Sequence, residues 1–294
     1  MKPTFAAELR QTANNLQAVR DLYAPLAAVQ DRRGVIADVD IPYGYHSRHV
    51  MDIYRPETSA GRLPVIVFLH GGGFIQGDKS FRANLGYFFA QQGFVTVVPN
   101  YRLAPEYRWP SGAEDVIAIW NWLQGHGEEY GGNADRVVLG GESAGAAHVA
   151  AAVLRAEFQP VQWKIAGAML LSGVYNARLE GLARKQLNIP TPDPRNEAYF
   201  GADLSSWGAS STVEHVSVSP FPLWISYSEL DFVQMQIGAG ELFARLVGQH
   251  GFQPDLHVLP YHNHYSPGHS LGTDDITLSA PLLDFLRRIT LSQA

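Results

Sequence analysis

Cysteine is absent from the 294 residues. That excludes a disulfide scaffold, thiol catalysis and thiolate-bound metal. Charge is scarce too: Asp, Glu, Lys and Arg together make up 17% of the chain, below the usual quarter of a globular protein. A chain so poor in charge, and 46% hydrophobic, is expected to fold compactly around a sizeable core, and α/β folds of this length often form one domain. No basic excess is present, since the formal net charge is −6, so the electrostatic footprint of a nucleic-acid partner is missing. A mild negative excess is read as solubility. No apolar run approaches the ~18 residues that a membrane span requires. Residues 1–20 carry Glu8, Arg10 and several Asn and Gln in place of a signal-peptide core. A cytoplasmic protein engaging neither nucleic acid nor membrane is expected; a homodimer is permitted.

What is present alternates between short apolar runs and amphipathic stretches, which is how βαβ units read. Apolar runs at 65–69, 94–98, 136–140, 165–171, 223–227 and 256–259 are expected strands. Runs this continuous are buried on both faces, as in a mostly parallel sheet covered by helices. Helices are expected over 83–92, 113–124, 144–158, 236–249 and 275–289, with Gly93 and Gly251 at two of their C-terminal ends. The fold class is therefore α/β, with 1–294 as a single domain. Two stretches sit outside the pattern: 1–33, which reads as an amphipathic helical segment, and 175–218, rich in Pro, Asn and Ser. Both are expected to form a small cap over a site, the alternative for the second being a surface insertion without a role.

Gly141-Glu142-Ser143-Ala144-Gly145 matches G-x-S-x-G between an expected strand and an expected helix, the context that gives this motif meaning. The glycines allow a sharp turn that lifts the Ser143 hydroxyl clear of the sheet and aims the N–H of Ala144 at the same place. A chance match in a Gly-rich turn is the competing reading; a phosphate loop is not, because no Lys follows. Upstream, His70-Gly71-Gly72-Gly73-Phe74 follows the first strong strand. Attack by a serine on a carbonyl makes an oxyanion, and glycines let backbone N–H groups approach it unobstructed. Gly72, Gly73 and Ala144 are the expected donors, each worth ~2.7–4 kcal/mol to the transition state. His70 is expected to be structural.

With Tyr101-Arg102-Leu103-Ala104-Pro105-Glu106 added, the three motifs in this order resemble the hormone-sensitive-lipase-like branch of the α/β-hydrolases, mainly bacterial carboxylesterases. The resemblance spans roughly residues 52–286 and implies the α/β-hydrolase fold. It also implies a serine carboxylesterase acting on short-chain or aryl esters, with a small-molecule ester as partner and no cofactor or metal. Arg102 and Glu106 are structural in such proteins. The family's acid lies in a Glu-x-Asp-Pro-Leu-like turn, matched here by Glu229-Leu230-Asp231-Phe232-Val233, so Asp231 is the implied acid, with Phe232 in place of proline and Glu229 as runner-up. The family's histidine, commonly followed by Gly or an aromatic residue, fits His264-Tyr265 best, with His262 as the other candidate. Ser143, Asp231 and His264 then follow the Ser–acid–His order of this fold.

A competing reading of the same region is a zinc site built from His262, His264, His269 and His257. The cap contributes Tyr175, Tyr199, Phe200 and Trp207; of these Tyr175 and Trp207, with Phe74, are expected to contact substrate. Ser172-Gly173-Val174-Tyr175 and the N-terminal segment are also similar to arylformamidase-type relatives, which makes a formamide or amide substrate the close alternative. A third possibility is a ligand-binding protein that has kept the fold and lost catalysis, although such proteins replace the histidine that His264 supplies.

Overall fold

The computed structural model describes residues 3–186 and 194–291. Helices α1 (Pro3–Gln11) and α2 (Leu16–Ala28) lead into strands β1 (Val35–Pro42), β2 (Val50–Pro56) and β3 (Leu63–Leu69). From there strands and helices alternate through α3 (Ala83–Gln91), β4 (Val95–Pro99), α4 (Ser111–His126), β5 (Gly132–Glu142), α5 (Ala144–Leu154) and β6 (Gly167–Leu171). Helices α6 (Ala177–Gln186) and α7 (Pro194–Phe200) interrupt that alternation before β7 (Leu223–Leu230), α8 (Val233–His250), β8 (Asp255–Asn263), the short α9 (Ser266–Ser270) and α10 (Ile276–Leu291). The expected cap segments coincide with α1–α2 and with the α6–α7 region. Residues 1–2 of the first and 187–193 of the second lie outside the described residues.

The strands form one eight-stranded sheet in the order β1-β2-β4-β3-β5-β6-β7-β8. β1 and β2 run antiparallel and the pairs from β3–β4 to β7–β8 run parallel. Alternation of side chains across each strand divides the core in two. Val65, Val67 and Leu69 of β3 face one layer with residues of α4, α5 and α8, while Ile66 and Phe68 face the other with residues of α3 and α10. Every residue of α5 is buried. Its alanines bring the helix close to the sheet, and a side chain on Gly145 would strike the Leu69 carbonyl. Burial on both faces explains why the expected strands matching β3 to β7 read as apolar runs, whereas β8 forms the second edge of the sheet and is partly exposed.

β1 and β2 were not among the expected strands. β1 is an edge strand with no fully buried residue, and β2 is broken in sequence by Asp52, Arg55 and Pro56. Asp52 is tolerated inside because Lys79 reaches its carboxylate at 2.5 Å. A buried charge of this kind persists only with a partner.

The sheet places the ends of β3, β5, β7 and β8 along one edge. α1 packs on β8 and α2 on α9, so the N-terminal hairpin covers part of that edge.

Candidate active site

β5 ends at Glu142 and α5 starts at Ala144, leaving Ser143 alone in the turn. Its backbone holds φ 51° and ψ −119°, a region that costs a non-glycine residue of order 1–3 kcal/mol. The turn is locked by a hydrogen bond from the Ser143 N–H to the Leu171 carbonyl at 2.9 Å, across the neighbouring strand β6. The hydroxyl therefore projects off the sheet edge, only half buried.

His264 and Asp231 come to it from the two strands beyond. His264 Nε2 lies 3.0 Å from Ser143 Oγ, and His264 Nδ1 lies 2.7 Å from Asp231 Oδ1. The carboxylate of Asp231 is fully saturated: the Phe232 N–H also donates to Oδ1, and the Ser228 N–H and Ser172 hydroxyl donate to Oδ2. This donor set fixes the Nδ1–H tautomer of His264, which leaves Nε2 free to accept from Ser143.

The glycine loop stands opposite. Gly72 adopts φ 149° and packs so closely on Gln76 that a side chain would strike the Gln76 carbonyl; Gly73 adopts φ 59°. No acceptor among the described residues takes the N–H of Gly72 or of Gly73. The Ala144 N–H, first of helix α5, has no intrahelical acceptor either and lies at the positive end of the helix. Gly71 is engaged differently: its N–H donates to Glu142 Oε1 at 3.2 Å. Glu142 is held in turn by Arg82, whose Nε lies 2.6 Å from the same oxygen. This buried ion pair ties the glycine loop to the residue preceding Ser143.

A profile of the alpha/beta hydrolase fold matches residues 66–265, from β3 to the residue after His264. The chain belongs to this family. It is 29% identical over 259 residues to a probable carboxylic ester hydrolase, LipM, of Mycobacterium tuberculosis, covering 82% of this chain and 58% of that one. It is 30% identical over 125 residues to an ethyl acetate hydrolase of Pseudomonas putida, covering 42% of this chain and 39% of that one. The chain thus spans less than two thirds of the length of these curated relatives. Among solved structures, a bacterial esterase of the hormone-sensitive lipase family superposes with a TM-score of 0.74 at 20% identity, over 98% of this chain and 97% of that one.

Within this alpha/beta hydrolase the alternative candidates stand elsewhere. Glu229 accepts the Tyr261 N–H at 2.7 Å and pairs with Arg10 on the exposed side of its strand. His262 is completely buried, with Nδ1 2.8 Å from Ser266 Oγ and Nε2 3.3 Å from Asp275. Strand β8 runs on to Asn263, so His262 is a strand residue facing inward and His264 is the first residue beyond it. His257 stacks on Trp224 and His269 on Tyr23. The four histidines of the zinc reading do not converge, and no group of metal-ligating residues occurs among the described residues.

The three residues expected to contact substrate have no open surface to offer. Phe74, Tyr175 and Trp207 are 1%, 0% and 1% exposed. Phe74 stacks on Tyr199 with ring centroids 4.4 Å apart, Tyr175 turns its hydroxyl back to the Gly173 N–H, and Trp207 donates to the Gly201 carbonyl. They serve packing, because a large ring gains most where it is fully desolvated. The side chains around His264 and the glycine loop are others, none of them expected to contact substrate. Phe232 lies with its ring 4.8 Å from that of His264. The Arg195 stem comes within 2.8 Å of where a Gly73 side chain would begin. Burial raises the Tyr265 phenol above its ordinary range, and the Arg195 guanidinium hydrogen-bonded to it pulls the other way.

Beneath the glycine loop, two imidazoles are kept neutral. Burial lowers His70 to about 4 and His148 to about 3. His70 donates from Nδ1 to the Gly71 carbonyl and stacks on Tyr101; His148 meets the Tyr199 hydroxyl at 3.2 Å. Unfolding frees both to protonate at ordinary values near 6.5, so the unfolded chain binds more protons below that pH. Stability from these groups is complete above pH 6.5 and is lost as the pH falls toward 4, by about 1 kcal/mol per pH unit for each imidazole. Urea unfolding at pH 7.5, 6.0 and 5.0 is expected to give falling midpoints; a flat profile across that window would contradict the assignment of both as buried neutral bases.

Proposed function

We propose that the protein is a serine carboxylesterase of hormone-sensitive-lipase-like type, acting on short-chain or aryl esters through an acyl-enzyme on Ser143. One observation carries the reading: an unbroken line of contacts from Asp231 through His264 to Ser143, opposite N–H groups of Gly72 and Gly73 that no acceptor among the described residues takes. The named activities of the carboxylic ester hydrolase and ethyl acetate hydrolase relatives support it.

In the first half-reaction His264 Nε2 accepts the Ser143 proton as Oγ attacks the ester carbonyl. The carbonyl oxygen takes up the electron pair and is met by the N–H groups of Gly72, Gly73 and Ala144. Asp231 stabilises the imidazolium without taking its proton. Collapse of the intermediate expels the alkoxide, which His264 protonates, and water then repeats the sequence on the acyl-enzyme. Nucleophile, base and oxyanion donors are all groups of the chain, so the chemistry calls for neither metal nor cofactor. No helix among the described residues is long and apolar enough to cross a membrane. We place the activity in the cytoplasm, on small-molecule esters.

A panel of p-nitrophenyl esters of graded chain length, run beside an aryl formamide and a matched anilide, tests the proposal. Acetate and butyrate are expected to exceed the C10 and longer esters, and the esters to exceed the nitrogen substrates. Faster turnover of the formamide or anilide would reassign the protein to amide chemistry on the same triad. A folded protein that a fluorophosphonate fails to label at Ser143 would mean a ligand-binding module instead.

A further inference from the structure

Asp231 and His264 are 33 residues apart in the chain and sit on separate loops, one after β7 and one after β8. The β7–β8 ladder pairs Leu230 with Asn263, so each residue lies one step past the last paired rung, where a tie across the two loops adds to the register that the strands set. One side chain touches both. Asn14 Nδ2 donates to the Leu230 carbonyl at 2.9 Å, immediately before Asp231, and Asn14 Oδ1 accepts the backbone N–H of His264 itself at 2.8 Å.

We propose that Asn14 is a positioning residue for the Asp231–His264 pair, its carboxamide clamping the two loops in the geometry that proton transfer requires. The proposal rests on the reading of Ser143, His264 and Asp231 as a catalytic triad.

The chemistry of the clamp is specific. One loop presents an acceptor and the other a donor, and a carboxamide is the short side chain that answers both. The backbone at this point is left-handed, with φ 46° at Ala13 and 59° at Asn14, a conformation that asparagine tolerates better than most residues. The turn is closed by the Asn15 N–H on the Thr12 carbonyl, and Asn15 caps α2 by accepting the Ala18 N–H. Below it the hairpin is anchored by buried Leu9, Val19 and Tyr23, against which Tyr265 packs. A second tie reinforces the first: Asn263 Nδ2 donates to Thr12 Oγ1 at 2.7 Å. The N-terminal hairpin thus reaches both neighbours of the catalytic imidazole, Asn263 and Tyr265, as well as its own N–H. A displacement of about 1 Å at reacting groups can cost up to 100-fold in rate, so a clamp at this point acts on kcat.

Asn14→Gly removes both hydrogen bonds without straining the left-handed turn, and Asn14→Asp keeps the acceptor while losing the donor. Both are made in the full chain and compared for kcat and KM on p-nitrophenyl acetate, the pH profile of kcat/KM and Tm. The titration of the His264 ring is followed by NMR, its signal identified by loss in His264→Ala. The other charged groups near this imidazole are unchanged in the Gly variant: Asp231 from the β7 loop, Arg195 from α7 beside Tyr265, and the Arg10–Glu229 pair. Asn14→Gly is expected to lower kcat about 10-fold with KM within about twofold. A looser Asp231 contact stabilises the imidazolium less, so the acid limb of kcat/KM and the ring titration should both move to lower pH. Asn14→Asp should fall between Gly and wild type in kcat.

A fall in Tm with unchanged kcat and unchanged ring titration would make Asn14 merely structural and overturn the proposal. If the wild-type protein neither hydrolyses the ester nor takes a fluorophosphonate, it is the triad reading that fails. The ring titration then still decides whether Asn14 holds the Asp231–His264 contact.

Discussion

Ser143→Ala is expected to lower ester turnover by about 10⁶-fold while the protein stays folded. The hydroxyl is half buried and, among the described residues, its side-chain hydrogen bond is to His264 Nε2 alone, so water can take its place at little cost in stability. The strained backbone does not relax either. It is imposed by the Ser143 N–H on Leu171 and by the tight approach of Gly145 to the Leu69 carbonyl, and alanine leaves both intact. What disappears is the nucleophile, and with it the acyl-enzyme. The N–H groups of Gly72, Gly73 and Ala144 remain, so a residual rate about 10³- to 10⁴-fold above water is expected from oxyanion stabilisation and binding alone. Stopped-flow hydrolysis of p-nitrophenyl acetate should lose its burst, and mass spectrometry should find the fluorophosphonate adduct in the wild type and not in the variant. Wild-type turnover by a folded Ser143→Ala protein would remove the basis for a serine mechanism.

The parts of this arrangement that are legible in sequence are those where one local stretch carries its own geometry. The turn around Ser143 needs glycine on either side, and the loop at Gly72 needs a residue without a side chain against Gln76. Both demands fall within a few consecutive residues. The parallel strands were legible for a related reason: burial on both faces concentrates apolar residues in the middle of β3 to β7, and edge strand β8 still carries the short run at 256–259. β1 and β2 lack that signature, because one lies at the sheet edge and the other carries Asp52, whose compensation by Lys79 comes from 27 residues away.

Other features depend on contacts that no window of sequence contains. The choice between His262 and His264 turns on where β8 stops, and the apolar run ending at Leu259 understates the strand by four residues, to Asn263. Asn14 meets its partners across 216 and 250 residues. The aromatics of the 175–218 segment were visible as composition, but nothing local says which way a ring turns. Phe74 and Tyr199 stack on one another inside, while Arg195, in a proline-rich segment with no periodicity, lies over Gly73.

Asp231→Asn is expected to reduce kcat by about 10⁴-fold, because the site around this carboxylate holds only donors. Oδ1 receives His264 Nδ1 and the Phe232 N–H; Oδ2 receives the Ser228 N–H and the Ser172 hydroxyl. Ser172 is itself held at φ 51° to bring its hydroxyl there. An amide NH₂ placed at the Oδ1 position opposes the Phe232 N–H and forces His264 to accept at Nδ1. The ring proton then moves to Nε2, where it faces Ser143 and blocks proton abstraction. Placed at the Oδ2 position, the NH₂ opposes the Ser228 N–H, and although the tautomer survives, the negative charge that stabilises the imidazolium is gone. Either orientation buries a donor against a donor, so a loss of stability of about 1–3 kcal/mol should accompany the loss of rate. Glu229→Gln is the matched comparison. Its amide oxygen can still accept the Tyr261 N–H, and the Arg10 pair it gives up is exposed and worth little. Kinetics on the two variants side by side decide between the carboxylates: a crippled Glu229→Gln protein beside a near-normal Asp231→Asn protein would move the acid two residues back along the strand.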